Sequence, residues 1–253
     1  MLNRSEEYIK MSNVEQNHWW YKSLHMLVLR ALTNNIKGNE CRILDAGCGT
    51  GGLLLFLKKK GYNNQLGFDV SNVAVNLCRK KSLNVFKGDL KEIVKSNNCK
   101  NGFDVIISND TLYYLNREEV VNFINDCHAL LNSSGILIMN IPTHNVFGGI
   151  HDKSVGIKSR FKSNYLEEVS FNKFKIIDKV TWPFLLFPII LLIRFFQRIK
   201  MYLFPNVEIS SDIDMPTNII NKLLYKVTFW EINNIRRSFF SSSMFVVFRK
   251  IDF

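Results

Sequence analysis

A glycine-dense turn follows an acidic residue near the start of the chain. Residues 43–52 read ILDAGCGTGG, an apolar run that ends in Asp45 and leads into the turn and then into the apolar residues 53–57. A strand, a tight turn and a helix start are typical of a nucleotide-binding corner in an α/β sheet. Glycine suits such a turn because its backbone adopts positive φ and admits a ligand without a Cβ in the way.

Asp45 indicates which class of ligand the turn would hold. A dinucleotide brings a pyrophosphate, which binds bare N–H groups and the positive end of a helix dipole. A carboxylate beside it would repel that anion and would suit a ligand that carries an ammonium group and hydroxyls. However, Gly47, Gly49 and Gly52 also match the dinucleotide pattern, and Asp69 follows at about the 20-residue spacing that the pattern requires. A nicotinamide-dependent oxidoreductase is therefore an alternative.

Three more apolar segments end in acidic or polar residues, as the first one does. They are residues 66–71, which include Asp69, residues 83–87, followed by Gly88, Asp89 and Leu90, and residues 103–108, followed by Asn109 and Asp110. A carboxylate at the end of the second strand can accept hydrogen bonds from both ribose hydroxyls. An acid after the third strand can accept one from an adenine amino group. A fifth strand, residues 135–141, ends at Pro142, which cannot continue a ladder.

Over residues 40–142 the chain resembles the class I S-adenosylmethionine-dependent methyltransferases. The resemblance rests on the glycine turn, on Asp69, on residues 88–90 and on residues 103–115, in that order along the chain. It implies an α/β fold with a doubly wound, seven-stranded Rossmann-like sheet whose last strand is antiparallel. It also implies S-adenosylmethionine as the cofactor and S-adenosylhomocysteine as the product. The predicted cofactor-binding residues are Asp45, Gly47, Cys48, Gly49, Gly51, Asp69, Val70, Asp89, Leu90, Asn109 and Tyr114.

The resemblance also implies a role for most of these positions. Asp45, Gly47 and Gly49 line the methionine end of the cofactor, and Asn109 lies beside that end. Asp69 holds the ribose, and Asp89 with Leu90 holds the adenine.

The flanking segments resemble more narrowly a group of bacterial methyltransferases, similar to types 11 and 12, often associated with genes for surface polysaccharides or lipid-linked glycans. The segments that carry this likeness are residues 15–21, 151–161, 184–188 and 241–247. We therefore predict one methyltransferase domain over residues 1–253. Its predicted parts are N-terminal cap helices in 1–39, a cofactor-binding core in 40–142, a substrate loop in 143–172 and an apolar and basic helical insertion in 181–240.

The insertion separates a predicted strand at residues 174–180 from a final strand at residues 243–250. Its residues 182–193 carry no charge, and basic and aromatic residues alternate from there to residue 204. This uncharged run is shorter than the about 18 residues that a membrane span needs. The composition suits an interfacial helix at a membrane surface. A dimer interface and a buried helix are the alternatives.

His151 is the candidate catalytic base. Methyl transfer from a sulfonium is an in-line displacement, and a base is needed only when the acceptor carries a proton. His151 lies in the predicted substrate loop, where the adjacent Asp152 could raise its pKa. A structural or solvated loop histidine is the alternative. No spacing of cysteines and histidines indicates a metal, so no metal site is predicted.

Composition limits the function classes further. The 253 residues are 47% hydrophobic, which supports a core, and carry a formal net charge of +11. Such a charge attracts the phosphates of nucleic acid or of a membrane, or it reflects a lysine-rich composition. Five scattered cysteines are typical of reduced cytosolic thiols, and no signal peptide is apparent. We expect a cytoplasmic protein. Peripheral binding to the inner membrane surface is a further expectation that depends on the apolar and basic insertion.

The function that these features predict is transfer of a methyl group from S-adenosylmethionine to a hydroxyl of a small molecule, a sugar or a lipid-linked glycan. Residues 182–204 would make the contact with a membrane surface. A homodimer is a further possible assembly. An RNA methyltransferase and a non-catalytic cofactor-binding partner subunit are the alternatives. Nucleic acid is disfavoured as a partner because nothing in the chain resembles an added RNA-binding module. Amino-methylation of bases is disfavoured because no Asn-Pro-Pro-Tyr follows the fourth strand.

Overall fold

A computed structural model of the chain describes residues 4–150, 152, 156–158, 160–162, 164–203, 213–235 and 240–252. The strands are β1 (Ile43–Ala46), β2 (Gln65–Asp69), β3 (Val85–Lys87), β4 (Phe103–Asn109), β5 (Leu131–Pro142), β6 (Phe174–Trp182) and β7 (Ser243–Lys250). The helices are α1 (Arg4–Val14), α2 (Trp19–Asn35), α3 (Gly52–Lys59), α4 (Asn72–Lys80), α5 (Arg117–Leu130), α6 (Tyr165–Ser170), α7 (Phe187–Leu203) and α8 (Asn218–Asn234).

The strands form one seven-stranded sheet in the order β3-β2-β1-β4-β5-β7-β6. Strands β1 to β5 pair in parallel, and β7 pairs antiparallel with both β5 and β6. This confirms the predicted sheet and its antiparallel last strand. Because the strand order reverses between β1 and β4, the carboxyl ends of these two strands border the crevice where such sheets bind ligands.

Both faces of the sheet are covered. On one face, α5 and α6 pack on a core cluster that includes Phe103, Phe123 and Phe248. On the other face, α2, α3 and α8 pack around a cluster that includes Leu27, Leu57 and Ile232. The strands β1 and β4 between these layers are almost wholly buried, which fixes the position of the polar residues at their carboxyl ends.

The structure differs from the sequence predictions mainly at element ends. Strand β5 begins at Leu131, directly after α5, and not at residue 135. Strand β6 extends to Trp182, so the insertion begins later than the apolar composition indicated. Because the prediction placed Trp182 at the head of the apolar insertion, it missed that this side chain belongs to the sheet and is fully buried.

The insertion between β6 and β7 contains α7 and α8. No side chain of α7 is buried, so this helix is not a core element of the chain. Helix α8 packs on α2 and contributes Ile232 to the core. Among the helices within the described ranges, none combines the length and the apolar character that crossing a membrane requires.

Candidate functional site

The glycine turn lies between β1 and α3 with three glycines at positive φ: Gly47, Gly49 and Gly51. A Cβ on Gly47 would lie 2.4 Å from Cγ2 of Thr111. A Cβ on Gly51 would lie 2.5 Å from Cδ1 of Leu83. At these two positions both the conformation and the close packing require glycine.

Asp69 connects the end of β2 to this turn. Its Oδ2 accepts a hydrogen bond from the Gly49 N–H at 3.0 Å, and its Oδ1 accepts one from the Ser71 N–H at 2.9 Å. Oδ1 also accepts a hydrogen bond from the Tyr8 hydroxyl at 3.0 Å. The carboxylate therefore already receives a hydroxyl donor, which is the kind of donor that a ribose would present.

Asp45 is buried at the end of β1, beside the turn. Burial first, and then the negative charges of Asp69 and Glu15, raise its pKa to about 7. Three carboxylates close together favour a cationic ligand, because a cation relieves both the repulsion and the cost of desolvation.

Glu15 occupies the amino end of α3. Its Oε2 accepts a hydrogen bond from the Gly52 N–H at 3.1 Å, and its Oε1 pairs with Lys81 Nζ at 2.6 Å. In a dinucleotide-binding fold this helix end binds the pyrophosphate. Here a carboxylate of the same chain fills that position, which argues against a nicotinamide dinucleotide.

Asn109 supplies a further acceptor at the end of β4. Its Oδ1 is buried and has no hydrogen-bond partner among the residues that the structure describes. A buried acceptor without a donor is costly, so it indicates a ligand donor at that point. The ammonium group of a methionine moiety is such a donor, and the residues present therefore fit S-adenosylmethionine.

The predicted adenine end lies after β3. Asp89 is exposed, and its carboxylate accepts a hydrogen bond from the Lys91 N–H at 3.0 Å. Asp89 lines a cavity of about 190 Å³ together with Phe68, Phe86 and Gly88. Leu90, in contrast, is buried in the core cluster beneath.

Three other predicted contacts lie around the turn. Cys48 is buried beneath it and packs with Leu54, so its side chain faces the core. Val70, after β2, is 56% exposed, and the half-buried Tyr114 lies beside Tyr113 with ring centroids 4.4 Å apart.

Comparison with known proteins agrees with this geometry. Residues 43–135 match a family described as a methyltransferase domain. The chain carries a class I S-adenosylmethionine-dependent methyltransferase domain. The cofactor of this domain is S-adenosylmethionine.

Three similar proteins illustrate the match to the methyltransferase domain. The ribosomal protein L11 methyltransferase of Halalkalibacterium halodurans is 27% identical over 159 residues, 61% of this chain and 44% of the relative. The magnesium protoporphyrin IX methyltransferase of Synechocystis PCC 6803, solved with bound S-adenosylhomocysteine, has a TM-score of 0.56 at 15% identity, over 90% of this chain and 82% of that one. A Haloferax volcanii methyltransferase, solved in complex with the Trm112 activator, has a TM-score of 0.61 at 14% identity, over 100% of this chain and 99% of that one.

The two structures show the fold alone. The chain spans less than half the length of the first curated relatives it matches, 44% and 45%.

The methyltransferase domain contains a hydrogen-bond network that sequence reasoning missed. Asp110, directly after β4, has a φ of 53°, and its Oδ1 accepts a hydrogen bond from Asn140 Nδ2 at 2.8 Å. The Oδ1 of Asn140 accepts one from Trp182 Nε1 at 3.0 Å. The ring of Trp182 stacks on Trp20 at 4.4 Å, and the side chain of Trp20 also hydrogen-bonds Asp110.

Burial raises the pKa of Asp110 to about 6, although the donors Asn140 and Trp20 and the charge of Arg160 oppose this shift. Non-glycine residues at positive φ are uncommon, although aspartate adopts it more readily than most, and such residues cluster at functional sites. The positive φ is a property of the fold, and the partners of Asp110 lie far away in sequence. The only available sequence signal was its position after a buried strand.

The predicted base His151 lies outside the described residues. Its neighbour Asp152 is described, and both of its carboxylate oxygens accept hydrogen bonds from Arg160, at 2.7 and 2.8 Å. Arg160 also donates to the backbone carbonyl of Thr143 at 3.2 Å. Arg160, paired with Asp152, thus holds the predicted substrate loop beside Thr143, directly after β5.

His18, directly before α2, is a helix cap. Its Nδ1 accepts a hydrogen bond from the Trp20 N–H, and burial lowers its pKa to about 4. A neutral imidazole engaged in this way holds the start of α2.

Proposed function

We propose that the protein transfers a methyl group from S-adenosylmethionine to a hydroxyl of a small molecule, a sugar or a lipid-linked glycan. The observation that carries this proposal is the position of Glu15 at the amino end of α3, beside the carboxylates Asp45 and Asp69. This arrangement disfavours a phosphate ligand and suits one that has a positive charge and a diol. The methyl group on its sulfonium is the chemistry that the cofactor supplies.

Asp110 is the group we assign as the proton acceptor. It lies at the carboxyl end of β4, between the glycine turn and the end of β5, where the acceptor must approach. With a pKa of about 6 it is mostly ionised at neutral pH and still basic enough to take a proton. Hydrogen bonds from Asn140 and Trp20 hold the carboxylate in one orientation while its remaining lone pairs are available to the substrate.

The presence of such a base supports a hydroxyl acceptor. The bound cofactor would supply an electrophilic methyl group, and Asp110 would take the proton of the attacking hydroxyl while the electron pair of the broken carbon–sulfur bond stayed on sulfur. A thioether or a neutral tertiary amine would need no base. His151, in the predicted substrate loop, stays a prediction. Asp110 is the assignment that contacts among the described residues support.

The surface of α7 supports a lipid-linked acceptor at a membrane surface. The helix exposes large apolar side chains along most of its length: Ile189, Leu192, Ile193, Phe195, Phe196, Ile199, Tyr202 and Leu203. It contains Arg194, Arg198 and Lys200 and no acidic residue. Arg198 donates to the backbone carbonyls of Asn145, Val146 and Gly148, so α7 is fastened beside the substrate loop. Apolar, aromatic and basic side chains on one helix suit insertion into an anionic interface.

The test is transfer of a tritiated methyl group from S-adenosylmethionine to a panel of free sugars, polyprenyl-linked oligosaccharides and total RNA. We expect label in a hydroxylated acceptor, with higher yield when polyprenyl-linked acceptors are presented in anionic vesicles. Label in RNA with none in the hydroxylated acceptors would contradict the proposed acceptor class. Absence of transfer together with tight S-adenosylhomocysteine binding would favour the non-catalytic alternative.

A further inference from the structure

Helix α1 lies across the glycine turn, where the cofactor has to bind. The Tyr8 hydroxyl donates to Oδ1 of Asp69 at 3.0 Å. The sulfur of Met11 lies 3.3 Å from the point that a Cβ on Gly49 would occupy. Helix α1 therefore covers both sites, with Tyr8 of its amino half on the Asp69 carboxylate and Met11 of its carboxyl half over the middle of the turn.

The hydrogen bonds of Asp69 leave too little room for a ribose. A carboxylate has about four acceptor positions. The Ser71 N–H and the Tyr8 hydroxyl use Oδ1, and the Gly49 N–H uses Oδ2. The Val70 N–H also hydrogen-bonds this carboxylate, so a ribose hydroxyl can bind it only by displacing a donor. The bond from Tyr8 is the one that can be released without unfolding the turn, because the other donors are backbone groups.

The two ends of α1 differ in how deeply they are buried. At its carboxyl end, Glu15 binds the Gly52 N–H and Lys81, and Gln16 Nε2 donates to the Gly52 carbonyl at 3.1 Å. Glu15 is only 3% exposed, so this anchor is deep. In the amino half, in contrast, Ser5 and Ile9 are exposed. Because Glu15 stays anchored, the amino half can leave the turn only if α1 bends or unwinds on the amino side of Glu15.

We infer that the amino half of α1 is a strap that occupies the ribose subsite in the cofactor-free protein and leaves it when the cofactor binds. This inference rests on the proposed function. The Tyr8 hydroxyl is exchanged for a ribose hydroxyl on Asp69, so the number of donors on that carboxylate is kept. The apparent affinity for the cofactor is lowered by the fraction of molecules in which the strap is closed.

The first test is calorimetric titration of the full chain with S-adenosylhomocysteine. Tyr8→Phe removes the hydroxyl and keeps the ring, and Tyr202→Phe makes the same change on α7, where Tyr202 is 85% exposed. We expect Tyr8→Phe to bind about three- to tenfold more tightly than the wild type, because a hydrogen bond to a charged group no longer opposes binding. Tyr202→Phe should bind as the wild type does. Equal or weaker binding by Tyr8→Phe would overturn the strap.

The second test uses the unmodified chain, so it does not depend on how a variant folds. Amide hydrogen exchange is followed over residues 5–14 with and without saturating S-adenosylhomocysteine, with α2 as the internal reference. We expect faster exchange over residues 5–14 in the complex. Slower exchange there would show that α1 closes over the ligand, and would overturn the inference. Absence of binding by the wild type and both variants would contradict the proposed function, and the strap with it.

Discussion

Trp182 fixes the orientation of Asn140 by donating its indole N–H to the amide Oδ1 at 3.0 Å. An indole nitrogen can only donate, so the amide oxygen must face it and the amide Nδ2 must face Asp110. The side chains of Asn140 and Trp182 are both fully buried. A residue at the end of β6 thereby determines that the carboxylate after β4 receives a donor.

Trp182→Phe should remove the hydrogen bond to Asn140 and destabilise the fold. The variant keeps a large ring against Trp20 and leaves the buried Oδ1 of Asn140 without its donor. We expect the free energy of unfolding to fall by about 1–3 kcal/mol in urea denaturation. Trp230→Phe on α8, where Trp230 is 54% exposed, is the matched control and should change it by less than about 0.5 kcal/mol. An equal loss in both variants would show that the hydrogen bond contributes nothing.

Asp110→Asn should remove the proton acceptor while the cofactor site stays intact. We expect methyl transfer to the labelled acceptor to fall by about 10²- to 10⁴-fold in kcat. The affinity for S-adenosylhomocysteine should change little, and Asp214→Asn, an exposed control, should behave as the wild type. Wild-type activity should also fall below about pH 6, where Asp110 becomes protonated. Full activity of Asp110→Asn would transfer the role of base to another group, such as His151.

Binding of S-adenosylhomocysteine should depend on pH through Asp45. The pKa of this carboxyl is about 7 in the cofactor-free protein, because of burial and the charges of Asp69 and Glu15. An ammonium ligand favours the ionised form, so below pH 7 binding must release a proton. The affinity should therefore fall by about tenfold for each pH unit below that value, and level off above it.

Calorimetry in two buffers with different ionisation enthalpies measures this proton release directly. Asp45→Asn should bind more weakly and without the pH dependence. Proton uptake by the wild type on binding would contradict the assignment.

Membrane binding should depend on the exposed aromatics of α7. We expect the wild type to sediment with anionic phospholipid vesicles, and Phe195→Ser/Phe196→Ser to bind at least about tenfold more weakly, since each ring buries apolar area in the interface. Phe171→Ser changes a phenylalanine outside the insertion that is even more exposed, at 73% against 57% for Phe195 and 59% for Phe196, and is the matched control. Unchanged vesicle binding by the double variant, with a shift in its oligomeric state, would support a dimer interface instead.

The sheet and the cofactor corner could be predicted because their signals are local. Apolar runs that end in an acid, and glycines directly after them, report on a strand and the turn that follows it. The prediction of β7 at residues 243–250 agrees with the structure for the same reason, since its run of apolar residues 244–248 forms one buried strand.

The proton-acceptor network and the strap could not be predicted because they depend on contacts between distant residues. Tyr8 lies 61 residues from Asp69 in sequence, and Trp182 lies 42 residues from Asn140. Helix α1 has a mostly polar composition with no strong apolar stripe, so nothing in its sequence indicates that it covers the turn. The orientation of the Asp110 side chain depends on the positive φ of its backbone, which no local residue pattern specifies.

The central claim is that the glycine turn with Asp69 holds S-adenosylmethionine. The most direct test is calorimetric titration of the wild type and Asp69→Ala with S-adenosylhomocysteine and, separately, with NADH. We expect micromolar binding of S-adenosylhomocysteine by the wild type, loss of that binding in Asp69→Ala, and no binding of NADH. Binding of NADH without binding of S-adenosylhomocysteine would contradict the claim and return the turn to the dinucleotide-binding class.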